Sequence, residues 1–148
     1  MANIVKLISV KELLDKKFVI PDYQRGYKWK PQQARDLLDD LYDFINKLKD
    51  HNIDADSFYC LQPLAVKKKY DLSSFDGFTI NSSSDQSDIE KNLNNLESYA
   101  QWEVIDGQQR LTSIKLLLSY LRQSLSMIIS YETRPYSEKF LNNIQTPP

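Results

Sequence analysis

The sequence predicts an α/β or α+β domain in which helices pack against a single sheet. Short apolar runs typical of strands alternate along the chain with longer segments whose apolar residues recur every three or four positions, as in amphipathic helices. The length of 148 residues suits one domain with its own core. The 41% hydrophobic and 26% charged residues are ordinary for a soluble protein.

Five short strands follow from the apolar runs. They are predicted at Ile4–Ile8, Phe18–Ile20, Phe58–Val66, Trp102–Ile105 and Met127–Tyr131. Pro63 interrupts the third run, which favours an edge strand, a bulge or two short pieces because proline cannot donate to a sheet ladder. Lys67–Lys69 would be the solvated end of that strand, with a DNA-backbone contact as the alternative.

Five helices are predicted between the strands. They cover Val10–Asp15, Gln32–Lys49, Asp88–Ser98, Gln108–Ser124 and Tyr136–Ile144. Ser9 and Glu12 have the spacing of a capping box, and Pro31 suits the first position of the second helix. The fourth helix has a predicted apolar face formed by Leu111, Ile114, Leu117, Leu118, Leu121 and Leu125.

The segment Tyr70–Ala100 differs in composition from the rest of the chain. It is rich in Ser, Asn and Asp and holds six acidic residues against one lysine. We predict a polar, acidic insertion between two strands, with a hairpin over residues 70–80 and a mobile tip at Ser82–Asp85. A single domain over residues 1–145 would then have its core in residues 1–69 and 101–145.

Composition and motifs exclude several classes of protein. A net charge of −1 gives no global basic surface, although a local basic patch stays open. The single cysteine, Cys60, cannot form an intrachain disulfide and is predicted to be a buried thiol. The only histidine, His51, is predicted to lie on the surface, and neither a zinc motif nor a GxxxxGK[ST] loop occurs.

No apolar run approaches the ~20 residues needed to span a bilayer, and no signal peptide is indicated. We therefore predict a cytoplasmic protein without a membrane partner. Because a helical pattern precedes Thr146–Pro148 with no obvious packing partner, we also expect a fragment of a longer chain.

The stretch Asp106–Arg110 joins a predicted strand to a predicted helix through a glycine. Such a junction points free backbone N–H groups and the positive end of the helix at one place, which makes an anion site. Gly107 allows a ligand to come close to the backbone, and Arg110 can bind a phosphate through two hydrogen bonds. Asp106 either caps the helix or serves a metal ion or an attacking water.

The loop Asp22–Lys30 is dense in aromatic and cationic side chains, which stack on rings and hold phosphates. Arg25 is the best second phosphate ligand. The rings predicted to support the loop or to stack there are Tyr23, Tyr27 and Trp29.

Three further side chains have open roles. The paired amides of Gln108 and Gln109 suit orienting a water or reading the hydrogen-bonding edge of a ligand. Arg134 either binds phosphate or pairs with Glu132 or Glu138, and pairing is favoured.

Three blocks of the chain, in order, resemble a known family. They are Ile20–Trp29 (IPDYQRGYKW), Asp106–Thr112 (DGQQRLT), and Tyr131–Arg134 (YETR) with Ser137 and Phe140–Leu141 behind it. They make the chain similar to the N-terminal domain of GmrSD-type, modification-dependent (type IV) restriction systems. That resemblance implies an α+β fold of the ParB/sulfiredoxin type, with a small mixed sheet, and covers about residues 1–70 and 101–145.

The resemblance implies binding and hydrolysis of a nucleoside triphosphate at the DGQQR loop, coupled to recognition and cleavage of modified DNA. Asp106 and Gln109 would be catalytic, with Mg²⁺ at Asp106. The phosphate-binding residues would be Gly107, Gln108, Arg110, Arg25 and Gln24. An HNH nuclease domain would lie further along the full-length chain, since one histidine cannot supply it here.

Two other functions stay open. In the first, the same pocket grips a DNA phosphate or a modified base without any chemistry, and the Tyr23–Trp29 loop reads the DNA. In the second, the domain is a structural piece of a larger assembly whose other residues complete the site.

Overall fold

The computed structural model describes residues 4–73, 75, 77, 86–121 and 126–144. The strands are β1 (Lys17–Ile20), β2 (Ala65–Tyr70), β3 (Ala100–Asp106) and β4 (Ile128–Tyr131). The helices are α1 (Pro31–Lys49), α2 (Gln86–Ser98), α3 (Gln108–Tyr120) and α4 (Ser137–Asn143), and a 3₁₀ turn covers Val10–Leu13. The strands form one mixed sheet in the order β2-β3-β1-β4. This architecture confirms the α+β class and is compatible with the ParB/sulfiredoxin type.

Strand β1 lies between β3 and β4 and runs parallel to both, whereas the outer strand β2 runs antiparallel to β3. Helix α3 leads from β3 to β4 and therefore passes over β1. Because parallel strands end at the same edge of a sheet, the segments that follow β1, β3 and β4 lie close together. This edge carries the candidate site.

The core lies on one face of the sheet. Side chains of β1 and β4 alternate in burial, as expected for strands with one covered face, so that Phe18, Ile20 and Ile129 are almost fully buried. They pack with buried side chains of the other elements: Val104, Leu111, Met127, Tyr131 and Leu141. Burying one such side chain contributes about 1.5–3 kcal/mol, so this cluster sets the position of α3 on the sheet.

Most helix predictions are confirmed. Ser9 and Glu12 form the predicted capping box, although the turn that follows is 3₁₀ rather than α. Helix α1 begins at Pro31, and α2 and α4 begin and end within two residues of their predicted bounds. Helix α3 is described to Tyr120, and residues 122–125 lie outside the described part. No described helix is long and apolar enough to cross a membrane.

The prediction of a strand at Ile4–Ile8 is wrong. This segment lies outside any helix or strand, and Ile4 and Val5 are 89% and 99% exposed. A short apolar run becomes a strand only where a neighbouring strand completes its hydrogen bonds, and none does so here.

The prediction of a strand over Phe58–Val66 is also wrong. Residues 57–64 are irregular, and β2 begins only at Ala65. Pro63 has no N–H to donate, and Gln62 before it has a φ of +81°, which breaks an extended chain. Cys60 is consequently exposed instead of buried in a strand.

Strand β2 runs through Lys67–Lys69, which were predicted to be only its solvated end. Lysines on an edge strand discourage pairing with another chain. Lys68 pairs with Glu97 of α2 at 2.5 Å, and Lys69 pairs with Glu103 of β3. A hairpin was predicted over residues 70–80. Residues 71–73 follow β2 without strand structure, so they do not form it, and residues 78–85 lie outside the described part.

The buried face of α3 is polar, contrary to the predicted leucine face. Leu111 is buried, but Leu121 is 60% exposed. The other fully buried side chains of the helix are Gln108, Thr112, Ser113, Lys115 and Ser119. Residues outside the helix supply hydrogen-bond partners for these groups: Gln108 and Ser113 bond to the loop 21–30, Thr112 bonds to Tyr131, and Lys115 bonds to Met127 and Asn142. The apolar periodicity alone could therefore not reveal which face is covered.

Lys115 is 2% exposed and has no carboxylate partner within the described residues. Its Nζ donates to the carbonyl oxygen of Met127 at 2.5 Å and to Asn142 Oδ1 at 2.6 Å, and so joins α3 to β4 and α4. Burial lowers the pKa of Lys115 from its usual 10.5, since desolvation penalises the ammonium, and the charge of Glu138 opposes this effect.

This lowered pKa predicts how stability depends on pH. Between the lowered pKa and 10.5 the unfolded chain holds the Lys115 proton more tightly, so the contribution of Lys115 to the free energy of unfolding rises with pH. The free energy of unfolding of wild type, minus that of Lys115→Met, should therefore rise from pH 7 toward pH 10. The rise should be about 1.4 kcal/mol for each unit by which burial lowers the pKa of Lys115. Urea unfolding across this range measures it. If wild type instead lost stability relative to Lys115→Met as the pH rose, the lowered pKa of Lys115 would be contradicted. Lys67→Met, on the exposed strand β2, is the control.

Candidate functional site

The carboxyl edge of the three parallel strands brings three loops together. Strand β1 is followed by the loop 21–30, β3 by Gly107 and α3, and β4 by a turn that contains Glu132. The N–H of Glu132 donates to the carbonyl oxygen of Ile20 at 3.0 Å, and its Oε2 accepts the N–H of Asp22 at 3.0 Å. Ligands of open sheets with parallel strands bind at this edge.

Two amide side chains at the start of α3 hold the loop 21–30 by its backbone. Gln108 Nε2 donates to the carbonyl oxygen of Arg25 at 2.8 Å. Gln109 Nε2 donates to the carbonyl oxygen of Gly26 at 3.0 Å, and Gln109 Oε1 accepts the N–H of Lys28 at 2.7 Å. An irregular loop has no neighbouring strand to bond its backbone N–H and C=O groups, and the two amides bond some of these groups instead. Each polar atom of Gln109 makes one hydrogen bond to the loop, so the amide positions the loop.

The same loop is anchored at further points. Gln24 Nε2 donates to the carbonyl oxygen of Ile105 at 2.7 Å, which leaves the Gln24 side chain against the end of β3. The Tyr27 hydroxyl lies 3.0 Å from Ser113 Oγ on α3. Tyr27 and Trp29 are half-buried, in agreement with the prediction that they support the loop.

A buried carboxylate on β3 holds the first ring of the loop. The Tyr23 hydroxyl donates to Glu103 Oε1 at 3.0 Å, and Glu103 also pairs with Lys69. Glu103 is 7% exposed, whereas Tyr23 remains 64% exposed. Its ring is thus fixed at one end and open to stacking at its faces.

Gly107 is the N-cap residue of α3 and has a φ of +91°, in the left-handed region that favours glycine. A Cβ at this position would lie 3.0 Å from a methyl carbon of Leu64 and 3.2 Å from the carbonyl oxygen of Pro63. No side chain caps the helix, and the N–H groups of Gln108, Gln109 and Arg110 donate to no other described residue. Three N–H groups therefore remain available to an acceptor.

Asp106 lies just outside the helix, with its carboxylate exposed. Asp106 Oδ1 accepts the N–H of Gly107 at 2.8 Å, so the alternative in which Asp106 caps α3 is wrong. The described residues contain no group of three or more His, Cys, Asp or Glu side chains that could hold a metal ion. A lone exposed carboxylate fits Mg²⁺ that arrives with nucleotide phosphates, because this ion takes only one or two protein carboxylates at such sites.

Three guanidinium groups at this edge have no ion-pair partner in the parts of the chain that the structure describes: those of Arg25, Arg110 and Arg134. Arg110 lies near Tyr59. Burial raises the pKa of the Tyr59 hydroxyl, as does its hydrogen bond to Asp40, and the positive charge of Arg110 opposes both effects. The prediction that Arg134 pairs with Glu132 or Glu138 is wrong.

One polar atom of the two amides that hold the loop 21–30 lacks a partner. Gln108 is 5% exposed, and its Oε1 is buried without a hydrogen bond from the described residues. Exchanging the amide nitrogen and oxygen would set an oxygen against the carbonyl of Arg25, so the orientation is fixed. A buried acceptor without a donor costs about 1–3 kcal/mol, which a ligand donor or a water would offset.

Sequence reasoning missed two side chains that hold the rings of the loop, Glu103 and Ser113, and two main-chain positions within the loop that Gln109 bonds, Gly26 and Lys28. Glu103 carried one usable signal, because an acidic residue within an apolar strand run needs a partner when it is buried. The main-chain groups of Gly26 and Lys28 carried none, since any residue offers the same carbonyl and N–H.

The fold is that of a small α+β domain. At the carboxyl edge of its parallel strands lie an uncapped helix start, the loop 21–30 that Gln108 and Gln109 hold, and arginines without an ion-pair partner among the described residues. The chain belongs to the family of N-terminal domains of GmrSD restriction endonucleases, whose family model matches residues 10–148. Membership in a family of restriction endonuclease domains implies a role in DNA defence. No curated protein and no solved structure matches the chain.

Proposed function

We propose that this domain binds a nucleoside triphosphate by its phosphates at the start of α3 and hydrolyses it, within a DNA-defence protein. The observation that carries the proposal is the combination of three free N–H groups, at Gln108, Gln109 and Arg110, with unpaired guanidinium groups around them. Helix starts and guanidinium groups are the two groups that proteins most often direct at phosphates.

The electrostatics support an anionic ligand. Unpaired Arg25 and Arg110 add two positive charges to the partial positive charge of the helix start. The nearest carboxylate in sequence, Asp106, gives one oxygen to the Gly107 N–H, which leaves Asp106 Oδ2 free. The phosphate chain would lie on the N–H groups and between the arginines. Gln108 and Gln109 would hold Arg25 in place through the loop backbone.

Asp106 is the proposed catalytic residue. Its free oxygen would hold the Mg²⁺ that accompanies the nucleotide and would orient the attacking water or accept its proton. Bound Mg²⁺ would neutralise charge on the phosphates. Gln109, predicted as a second catalytic residue, is proposed to contribute as a positioning residue, because both atoms of its amide are already bonded to Gly26 and Lys28.

Asp106→Asn should separate binding from chemistry. The amide keeps the size of the side chain and an oxygen for the Gly107 N–H but loses the negative charge, so affinity for the nucleotide measured without Mg²⁺ should be retained. Release of phosphate from GTP and ATP should fall by about 100-fold or more, the usual contribution of a positioned acid or base. Phosphate release, measured with and without DNA, checks this. Hydrolysis that survives Asp106→Asn unchanged would contradict the role of Asp106.

The alternative function is a binding module without chemistry that grips a DNA phosphate or a modified base at the same site. The 64% exposed ring of Tyr23, fixed by its hydroxyl beside Arg25, favours this alternative because it can stack on a base. Wild type that releases no phosphate but binds DNA in an Arg25-dependent way would establish it. In either function, we expect the full-length protein to bind DNA and to carry a C-terminal nuclease domain that works with this domain.

A further inference from the structure

The turn after β4 brings a third arginine to the loop that Gln108 and Gln109 hold. A Cβ on Gly26 would lie 2.7 Å from one terminal nitrogen of Arg134, 3.0 Å from Cζ and 3.4 Å from the other terminal nitrogen. The guanidinium group of Arg134 therefore occupies the space that a side chain at residue 26 would take. Gly26 does not have a positive φ, so its backbone conformation does not require glycine, and what a side chain here would displace is the end of the Arg134 side chain.

The backbone of Arg134 is fixed while its charge is left without a partner. The N–H of Arg134 donates to the carbonyl oxygen of Tyr131 at 2.9 Å, and the carbonyl of Arg134 accepts the N–H of Ser137 at 2.9 Å. The carboxylate of Glu132 is directed to the N–H of Asp22 instead. An arginine held at its backbone, pressed against a glycine and without a carboxylate, is arranged for a ligand rather than for the fold.

The position of Arg134 relative to the other site residues follows from shared contacts. The carbonyl of Gly26 is bonded by Gln109, which is the neighbour of Arg110 in the first turn of α3. Gly26 itself follows Arg25, whose carbonyl is bonded by Gln108. Arg134 thus lies against the residue whose carbonyl the Gln109 amide bonds, whereas Arg110 is near Tyr59.

We propose that Arg134 is a third phosphate-binding residue of the site, and that Gly26 is a positioning residue that leaves room for its guanidinium. This inference rests on the proposed function, because it places Arg134 on the phosphate chain already assigned to Arg25 and Arg110. A ligand with several linked phosphates is then favoured over one with a single phosphate, since arginines from three separate elements are to be bridged.

The test is a double-mutant cycle with tripolyphosphate as the probe, measured by calorimetry. Arg134→Gln should weaken binding by about 10- to 100-fold, the loss expected for charge-assisted hydrogen bonds to phosphate. Gly26→Ala should also weaken binding, because the added methyl displaces the end of the Arg134 side chain, whereas the fold should tolerate this displacement. In the double variant Gly26→Ala should add no further loss. Arg35→Gln, which removes a charge from exposed α1, is the matched control.

The outcomes separate the inference from the proposed function. Non-additive losses in Arg134→Gln and Gly26→Ala, with thermal unfolding close to wild type, support the inference. Undiminished affinity in Arg134→Gln, together with binding that Arg110→Ala abolishes, overturns the role of Arg134 and leaves the proposed function intact. Additive losses overturn the positioning role of Gly26. Wild type that binds neither tripolyphosphate nor nucleotide overturns both proposals.

Discussion

Gly107→Ala is expected to reduce the free energy of unfolding by about 2–4 kcal/mol, from backbone strain and overpacking together. The φ of Gly107 is +91°, a conformation that a Cβ disfavours. The added methyl would also meet Leu64 at 3.0 Å and the carbonyl oxygen of Pro63 at 3.2 Å. The second contact is with backbone, so relief requires movement of the 57–64 segment or of the start of α3. Nucleotide binding should fall as well, because either movement displaces the free N–H groups.

Gly77→Ala is the matched control for this loss. Gly77 also has a φ of +91°, but a Cβ there would meet no atom of the described residues within 4 Å. Gly77→Ala should therefore cost only the strain of the backbone conformation, roughly 1 kcal/mol. Urea unfolding of the two variants measures both costs. If both variants lost the same free energy of unfolding, the contact with Leu64 and Pro63 would not restrict residue 107. Only the positive φ would then explain why this position is a glycine.

The uncapped start of α3, where the candidate site lies, was predictable from the chain because local chemistry determines it. A strand, a glycine and a helix in direct succession around Gly107 give an uncapped helix start in any sheet of this kind. The partnership of this stretch with the loop around Arg25 followed from the resemblance to a family and from the residue types. The parallel arrangement of β1, β3 and β4, which explains why the loops meet, needs the strand order and cannot be deduced from one sequence.

The roles of the amides were not predictable for a different reason. Gln108 and Gln109 were expected to face a ligand, but their partners are main-chain groups of Arg25, Gly26 and Lys28. Main-chain carbonyls and N–H groups are the same at every position, so a sequence carries no sign of which of them will lack a partner. The packing of an irregular loop decides it.

The errors in strands and in the covered face of α3 have one physical origin. A run such as Ile4–Ile8 or Phe58–Leu64 has the residues of a strand, but strand formation depends on neighbours that are distant in sequence. In α3 the buried side chains include Lys115, whose partners Met127 and Asn142 lie outside the helix. Local periodicity describes which side chains are apolar, and tertiary contacts decide which of them are covered.

Arg110→Ala is expected to abolish measurable nucleotide binding while leaving the fold intact. Arg110 is partly exposed, has no ion-pair partner in the described part of the chain and lies in the first turn of α3, so its removal breaks no described hydrogen bond. A bidentate guanidinium–phosphate contact is worth about 3–5 kcal/mol as two charge-assisted hydrogen bonds, which corresponds to a loss of roughly 100-fold or more in affinity.

Arg35→Ala is the matched control for the lost charge. Arg35 lies on exposed α1 and likewise has no ion-pair partner among the residues described. Thermal unfolding of both variants should stay close to that of wild type. If Arg35→Ala weakened binding as much as Arg110→Ala, the effect would reflect net charge rather than a contact at the helix start.

The start of α3 as a phosphate site is tested most directly by calorimetric titration of wild type, Arg35→Ala and Arg110→Ala with non-hydrolysable GTP and ATP analogues in the presence of Mg²⁺. We expect saturable binding of at least one analogue to wild type and to Arg35→Ala, and no measurable binding to folded Arg110→Ala. Undiminished affinity in Arg110→Ala would contradict the assignment, as would the absence of binding to wild type.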